Sequence, residues 1–214
     1  MQWIYNFTTY KIPFYIYKLK KNDCIIYPAN YSKNKSVIIL NGILYLLKTF
    51  TNGETISLAI LNTNNIINII DNHIEPRHYY YRAIALEETY IISFQWDNIY
   101  INNNIKPQII KNIINSYQKT IYKYEIMNHI ITHKEIKNRV IQLILYLCEE
   151  FGIIKKKHIF IPFEISQVTL STITGSNKVT INKIMKTLNQ KMLIQYTLNK
   201  KIYLYSIFKL DPNI

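Results

Sequence analysis

The chain has 214 residues, a net charge of +13, a hydrophobic fraction of 49% and only two cysteines. That length suits one large domain or two small ones, each able to bury a real core. The apolar residues come in short runs, none near the roughly 20 that a membrane helix needs, and Cys24 and Cys148 are too few to read as a metal-ligand set, so they read as buried thiols in a reducing compartment.

The charge speaks of a partner rather than of a fold. Residues 134–214 hold 13 Lys and Arg against 5 Asp and Glu, leaving +8, whereas residues 1–133 hold 13 against 8, leaving +5. The denser positive charge of the last third points to a polyanion, nucleic acid ahead of an anionic membrane. Ile makes up about a fifth of the chain, and Asn, Lys and Tyr are abundant while Gly and Ala are scarce. These favoured residues have A/T-rich codons, which suggests an A/T-rich genome such as that of an organelle or a reduced bacterium. Residues 1–21 have neither the basic start and small-residue cleavage site of a signal peptide nor the Arg- and Ser-rich character of a transit peptide.

In chain order, Ser36–Leu40 is a β-branched apolar run followed by Asn41-Gly42. Ile43–Phe50 and Glu54–Leu61 flank Asn52-Gly53, a strong hairpin signal. Ile66–Ile70, Tyr80–Leu86 and Thr89–Phe94 follow, the last two split by Glu87-Glu88, which reads as a turn rather than an acid/base pair. Short strands at such spacing predict a sandwich or a jelly roll. From Pro107 to His133 there is no Gly and no further Pro, and Ile110, Ile114, Tyr117, Ile121, Tyr124, Asn128 and Ile131 recur in steps of four and three. That is an a/d seam, predicting a long helix that pairs with a second copy of itself, with Asn128 setting register; the alternative is a helix packed on its own barrel.

Thr132–Lys137 reads as a hinge, Asn138–Phe151 as an amphipathic helix capped by Gly152, Lys155-Lys156-Lys157 as a basic loop and His158–Pro162 as a strand. Ser166 is placed to cap a short helix over Ser166–Ile173, Gly175 to make a tight turn, and Ser176 or Asn177 to cap a second helix to about Gln190. Val179, Ile184 and Leu188 would face the core, flanked by Ile181 and Met185. Ser176, Asn177, Lys178, Thr180, Asn182, Lys183 and Lys186 would fall on the outside. A short helix, a glycine turn and a helix with a basic, polar face predict a helix-turn-helix, with Ser166, Gln167 and Thr169 of the first helix also beside the duplex. Leu193–Thr197 and Ile202–Ser206, joined by a turn at 198–201, predict a wing whose Lys200 and Lys201 reach phosphate. The plain alternative is a helical hairpin with a solvated basic face. No phosphate-binding glycine loop, metal-spaced cluster or nucleophile motif supports catalysis.

The order of these parts resembles the cyclic-AMP-receptor/FNR superfamily, and within it the NtcA-type nitrogen regulators. The resemblance is carried by NRVIQLILYLCEEFGI (Asn138–Ile153) and ITGSNKVTINKIMKTL (Ile173–Leu188), and more weakly by Gly42–Leu61. It implies an α+β chain with a cyclic-nucleotide-binding-like jelly roll at 1–105, a dimerisation helix at 106–133 and a winged helix-turn-helix at 134–214. It implies a homodimer on a palindromic duplex site of the GTA–spacer–TAC kind, acting with RNA polymerase on nitrogen-related genes. Lys178, Val179 and Lys183 would read the major groove, with lysines where the family usually has arginines; Lys loses the bidentate fork that Arg offers guanine. The resemblance also implies 2-oxoglutarate as effector, held near Ile67, Asn68, Ile69 and Ile70 with Arg77, Arg82, Lys119 and Glu125. Here Asn68 replaces a family glycine, and Tyr79 and Thr120 stand where arginines are expected; Glu125 keeps its type. With the A/T-biased composition, the resemblance suggests a plastid-encoded regulator working in the chloroplast stroma, or otherwise a bacterial cytoplasmic one. A rival reading is a jelly-roll sensor whose winged domain has lost sequence-specific reading.

Overall fold

The computed structural model describes residues 2–27, 35–68, 78–100, 107–155 and 158–205, and the chain divides into two compact units, Met1–Ile126 and Met127–Ile214. In the first, an amphipathic helix α1 (Gln2–Thr9) precedes eight strands: β1 (Phe14–Leu19), β2 (Cys24–Tyr27), β3 (Lys35–Asn41), β4 (Leu44–Phe50), β5 (Thr55–Leu61), β6 (Ile66–Asn68), β7 (Tyr79–Ala85) and β8 (Thr89–Gln95). A short helix α2 (Asp97–Tyr100) and the long helix α3 (Pro107–Thr132) follow.

The strands form two antiparallel four-stranded sheets, β1-β8-β3-β6 and β2-β7-β4-β5. The pairing of first with last and second with next-to-last is the double Greek-key order, consistent with the expected jelly roll. Its local causes are legible. Gly53 takes φ +86 at the β4–β5 hairpin, where Asn52 Oδ1 accepts the Glu54 N–H at 3.0 Å. Gly42 takes φ +99, and a Cβ there would collide with Thr89 and the Glu88 carbonyl. Between the sheets lies a core of Tyr27, Val37, Ile39, Leu44, Leu46, Ala59, Leu61, Ile67, Ala83, Ala85 and Ile91. A second core on the outer face of the β1-β8-β3-β6 sheet joins Ile38, Ile66, Ile92 and Phe94 to Trp3 and Phe7 of α1 and Ile109 and Ile113 of α3.

Sequence reading missed β1, β2 and α1. The β1 strand FYIYKL is exposed at four of six positions, so it lacks the in–out alternation that marks a half-buried strand. Cys24 is exposed rather than buried; only Cys148 is a buried thiol.

The second unit contains α4 (Ile136–Phe151), β9 (Ile153–Lys155), β10 (His158–Phe160), α5 (Gln167–Thr174), α6 (Lys178–Gln190), β11 (Ile194–Tyr196) and β12 (Ile202–Leu204). The four strands form one antiparallel sheet, β11-β12-β10-β9. Lys155, expected in a loop, ends β9, opposite His158; residues 156–157 lie outside the described residues. Gly152 does end α4, but with extended backbone, φ −66. Its lack of a side chain matters because a Cβ would run into the Cys148 carbonyl and Ile159.

Candidate nucleic-acid interface

The two helices of the basic segment are placed by their caps. Ser166 Oγ accepts the Thr169 N–H at 2.9 Å and starts α5. Gly175 closes α5 in the left-handed conformation, φ 64, with its N–H on the Ser171 carbonyl. Asn177, not Ser176, caps α6: its Oδ1 accepts the Thr180 N–H at 2.8 Å. The turn is held from behind by Arg139, which donates through Nε to the His133 carbonyl (2.7 Å) and through a terminal nitrogen to the Thr174 carbonyl (3.2 Å).

One side of α6, Ile181, Met185 and Leu188, is buried. This corrects the expected core set. Ile184 is only half-buried, and Val179 is 65% exposed because, two residues after the cap, it falls on the side of the helix opposite Ile181 and Leu188. The opposite side presents Asn177, Lys178, Val179, Asn182, Lys183 and Lys186, all exposed, with Ser176 and Thr180 half-buried beside them. Gln167 and Thr169 on α5 are half-buried, and Gln167 Nε2 donates to Asn182 Oδ1 at 3.3 Å, joining the two helices across this face.

The β11–β12 hairpin lies alongside. Tyr196 Oη donates to the Ile165 carbonyl (2.9 Å), and the Ile165 N–H donates to the Lys200 carbonyl (2.9 Å), so the hairpin tip is fixed to the start of α5. Ser166, Gln167, Lys178, Leu198 and Lys200 thereby line one groove of about 450 Å³. Lys200 is exposed, whereas Lys201 is half-buried, its ammonium 5.4 Å from the centre of the Phe160 ring. Tip and helix thus present a concave basic surface, suited to polyanion backbone plus one inserted helix.

On α3 the buried positions are Ile109, Ile113, Ser116, Thr120 and Lys123 in the first unit, and Met127 and Ile130 continue the same four-three spacing in the second. The expected a/d set lies one residue further on and is divided. Ile110, Ile114 and Ile121 are 47%, 50% and 61% exposed, and Asn128 is exposed. Tyr117 instead stacks on Trp96 at 6.0 Å, Tyr124 packs into the barrel core, and Ile131 is half-buried. Tyr117 and Tyr124 serve their own chain because an aromatic ring reaches back from the edge of the buried stripe.

The residues expected to hold an effector are dispersed. Ile67 is a core side chain and Asn68 is half-buried at the end of β6. Ile69, Ile70 and Arg77 lie outside the described residues. Arg82 alternates with the inward Tyr81 and Ala83, so it projects from the outer face of its sheet, beside Cys24 and Tyr45. Lys119 and Glu125 are exposed. Among the described residues none of the expected cations faces the barrel interior; the buried cation of α3 is Lys123, which sequence reading missed because it assigned the neighbouring stripe to a partner copy and named no inward stripe.

No family model matches the chain. The chain is similar to several known proteins. The chain is 30% identical over 200 residues to a chain named as an HTH-type transcriptional regulator, ycf28, of Porphyra purpurea, covering 94% of this chain and 82% of that one. It is 22% identical to a global nitrogen regulator of Synechococcus elongatus, covering 86% and 83%. Its fold matches that of TTHB099, a CRP-family transcriptional regulator of Thermus thermophilus, with a TM-score of 0.70 at 14% identity, over 92% and 95% of the two chains. These relatives are transcription regulators and not enzymes. Sequence relatives and fold together establish that the chain belongs to the CRP/FNR superfamily of helix-turn-helix transcription regulators and is NtcA-like.

Proposed function

We propose that this regulator pairs with a second copy of itself and reads a two-fold symmetric site on duplex DNA, controlling nitrogen-related genes. The observation that carries the proposal is the division of α6: Ile181, Met185 and Leu188 are buried, while Lys178, Val179, Asn182, Lys183 and Lys186 stand exposed on the other side. A helix so anchored offers its N-terminal side chains to a major groove. Lys178, Val179 and Lys183 are the base readers in this reading. Ser166, Gln167, Thr169, Ser176, Thr180, Lys186, Lys200 and Lys201 contact phosphate or hold those that do. Asn177 serves through its cap and Asn182 through Gln167.

Pairing is supported by Ile110, Ile114 and Ile121, three large apolar side chains left exposed on one side of α3. A second copy covering them would bring two recognition helices to successive major grooves, about 34 Å apart. The bound dimer would recruit or block RNA polymerase. Nitrogen control is supported by the likeness to the global nitrogen regulators. A plastid compartment is supported by the A/T-biased composition; no described helix is long and apolar enough to cross a membrane.

Selection of purified full-length protein against random duplex DNA tests this reading. An enriched inverted repeat is the expected outcome. Weak, salt-sensitive binding without sequence preference would instead mark a sensor whose winged domain no longer reads bases.

A further inference from the structure

The two asparagines on the exposed side of α6 are used differently. Asn177 is engaged in the helix cap, its Oδ1 accepting the Thr180 N–H. Asn182 stands exposed one turn after Lys178, on the same face. Its Oδ1 accepts a hydrogen bond from Gln167 Nε2 at 3.3 Å, across the turn from α5. Gln167 is itself firmly placed. It is the first residue of α5, directly after the Ser166 cap. Just before that cap, the Ile165 carbonyl takes the Tyr196 hydroxyl of the hairpin at 2.9 Å. Asn182 thus ends a chain of contacts that runs from the hairpin through the start of α5 to the outer side of α6.

An amide-to-amide bond at a solvated surface contributes little net stability, because water offers both groups equivalent partners. What it fixes is orientation. An unrestrained asparagine amide turns over easily, exchanging its donor edge for its acceptor edge. Gln167 brings a donor and so holds the oxygen of Asn182 toward α5. Oδ1 keeps its second lone pair, and Nδ2 keeps its donors, with no partner among the described residues. An acceptor beside a donor complements adenine in the major groove, which presents an N6–H donor and the N7 acceptor, whereas guanine presents two acceptors there. Lys178 carries donors only and suits guanine. We propose that Asn182 reads an adenine in each half-site, next to the base that Lys178 contacts, and that Gln167 is the positioning residue that sets its amide. This inference rests on the DNA reading above and adds to it a base identity and a residue outside the three base readers.

Selection from random duplex DNA, run in parallel on the full-length natural chain, Asn182→Ala and Gln167→Met, tests it. The selected duplex is then titrated with 7-deaza-adenine in place of single adenines. Both replacements put good helix formers at helix positions that are exposed or half-exposed, so both variants should keep native circular dichroism. The natural chain is expected to enrich an inverted repeat with an adenine in each half. Asn182→Ala should enrich the same repeat without that adenine, its discrimination there falling roughly tenfold or more. Gln167→Met keeps the length and removes the donor, so it should relax the same position, by a smaller factor, and no other. The 7-deaza base lacks only the N7 acceptor; at one adenine per half-site it should weaken the natural chain and leave Asn182→Ala unaffected. If the pair were merely structural, both variants would bind every sequence more weakly and no single base would change, which overturns the proposal. Equal weakening of natural chain and Asn182→Ala by the 7-deaza base at every adenine overturns it too. An enriched repeat whose base preferences survive in either variant sinks this inference alone. A natural chain that enriches no inverted repeat removes the DNA reading and this inference with it.

Discussion

Thr120 on α3 accepts the backbone N–H of Ile66 through its hydroxyl at 2.9 Å and donates the same hydroxyl to the Ser116 carbonyl at 2.9 Å. Both groups are buried, so this one side chain ties the start of β6 to the long helix. Thr120→Val keeps the shape and removes the acceptor. It is expected to cost about 1–3 kcal/mol, the penalty of a buried amide left without a partner, while Thr120→Ser should lose much less. Urea unfolding would show a lower midpoint with an unchanged slope. A wild-type midpoint for Thr120→Val would mean that the Ile66 amide is satisfied elsewhere.

Base reading and phosphate anchoring on α6 separate by mutation. Lys178→Ala should lower affinity for the selected site by roughly 1–3 kcal/mol and relax preference at one base position, whereas Lys186→Ala should weaken all sequences alike and reduce the salt slope by about one. Binding titrations on matched and scrambled duplexes at several salt concentrations distinguish the two. Equal weakening everywhere by Lys178→Ala would reduce that residue to a phosphate contact.

The exposed isoleucines of α3 make pairing testable without DNA. Ile114→Glu combined with Ile121→Glu places charge on a face that the isolated chain leaves open, so the monomer should keep its fold while a dimer interface would be lost. Sedimentation equilibrium is expected to give a dimer for the natural chain and a monomer for the double variant, with equal circular dichroism. A natural chain that sediments as a monomer at tens of micromolar would remove the basis for two-fold recognition.

Alkaline pH should weaken the fold, with the largest contributions from Cys148 and Tyr124. Burial pushes the Cys148 thiol up from 9.0 to about 11 and the Tyr124 phenol up from 10.0 to about 12. In each the folded value is the higher, so each contributes stability that is whole below its unfolded value and declines as pH rises, through pH 9–11 for Cys148 and pH 10–12 for Tyr124. Tyr124→Phe should flatten the upper part of the decline in thermal melts taken between pH 8 and 12. At pH 8 the exposed Cys24 should react with iodoacetamide well before Cys148, as peptide mass spectrometry would show.

Much of the fold is written in local chemistry. Asn52-Gly53 sets its hairpin because a Gly accommodates positive φ. Ser166, Gly175 and Asn177 set the ends of α5 and α6 because side-chain oxygens and a left-handed glycine satisfy exposed helix termini. Such groups act on neighbours within a few residues, so their effect follows from sequence order. For the same reason the basic face, and the family resemblance of 138–153 and 173–188, are legible in the sequence alone.

What sequence order left undecided was orientation. Steps of four and three along 107–132 mark a long helix, but two such stripes, one residue apart, run down it: Ile109-Ile113-Ser116-Thr120-Lys123, and Ile110-Ile114-Tyr117-Ile121-Tyr124. Periodicity assigns the apolar stripe to an interface; packing against the barrel chose the other one, polar groups included, because Thr120 finds Ile66 there. Likewise Arg82 faces outward through strand alternation set by its sheet. Contacts between residues distant in sequence decide which way a side chain points, and these arise only when the whole chain has packed.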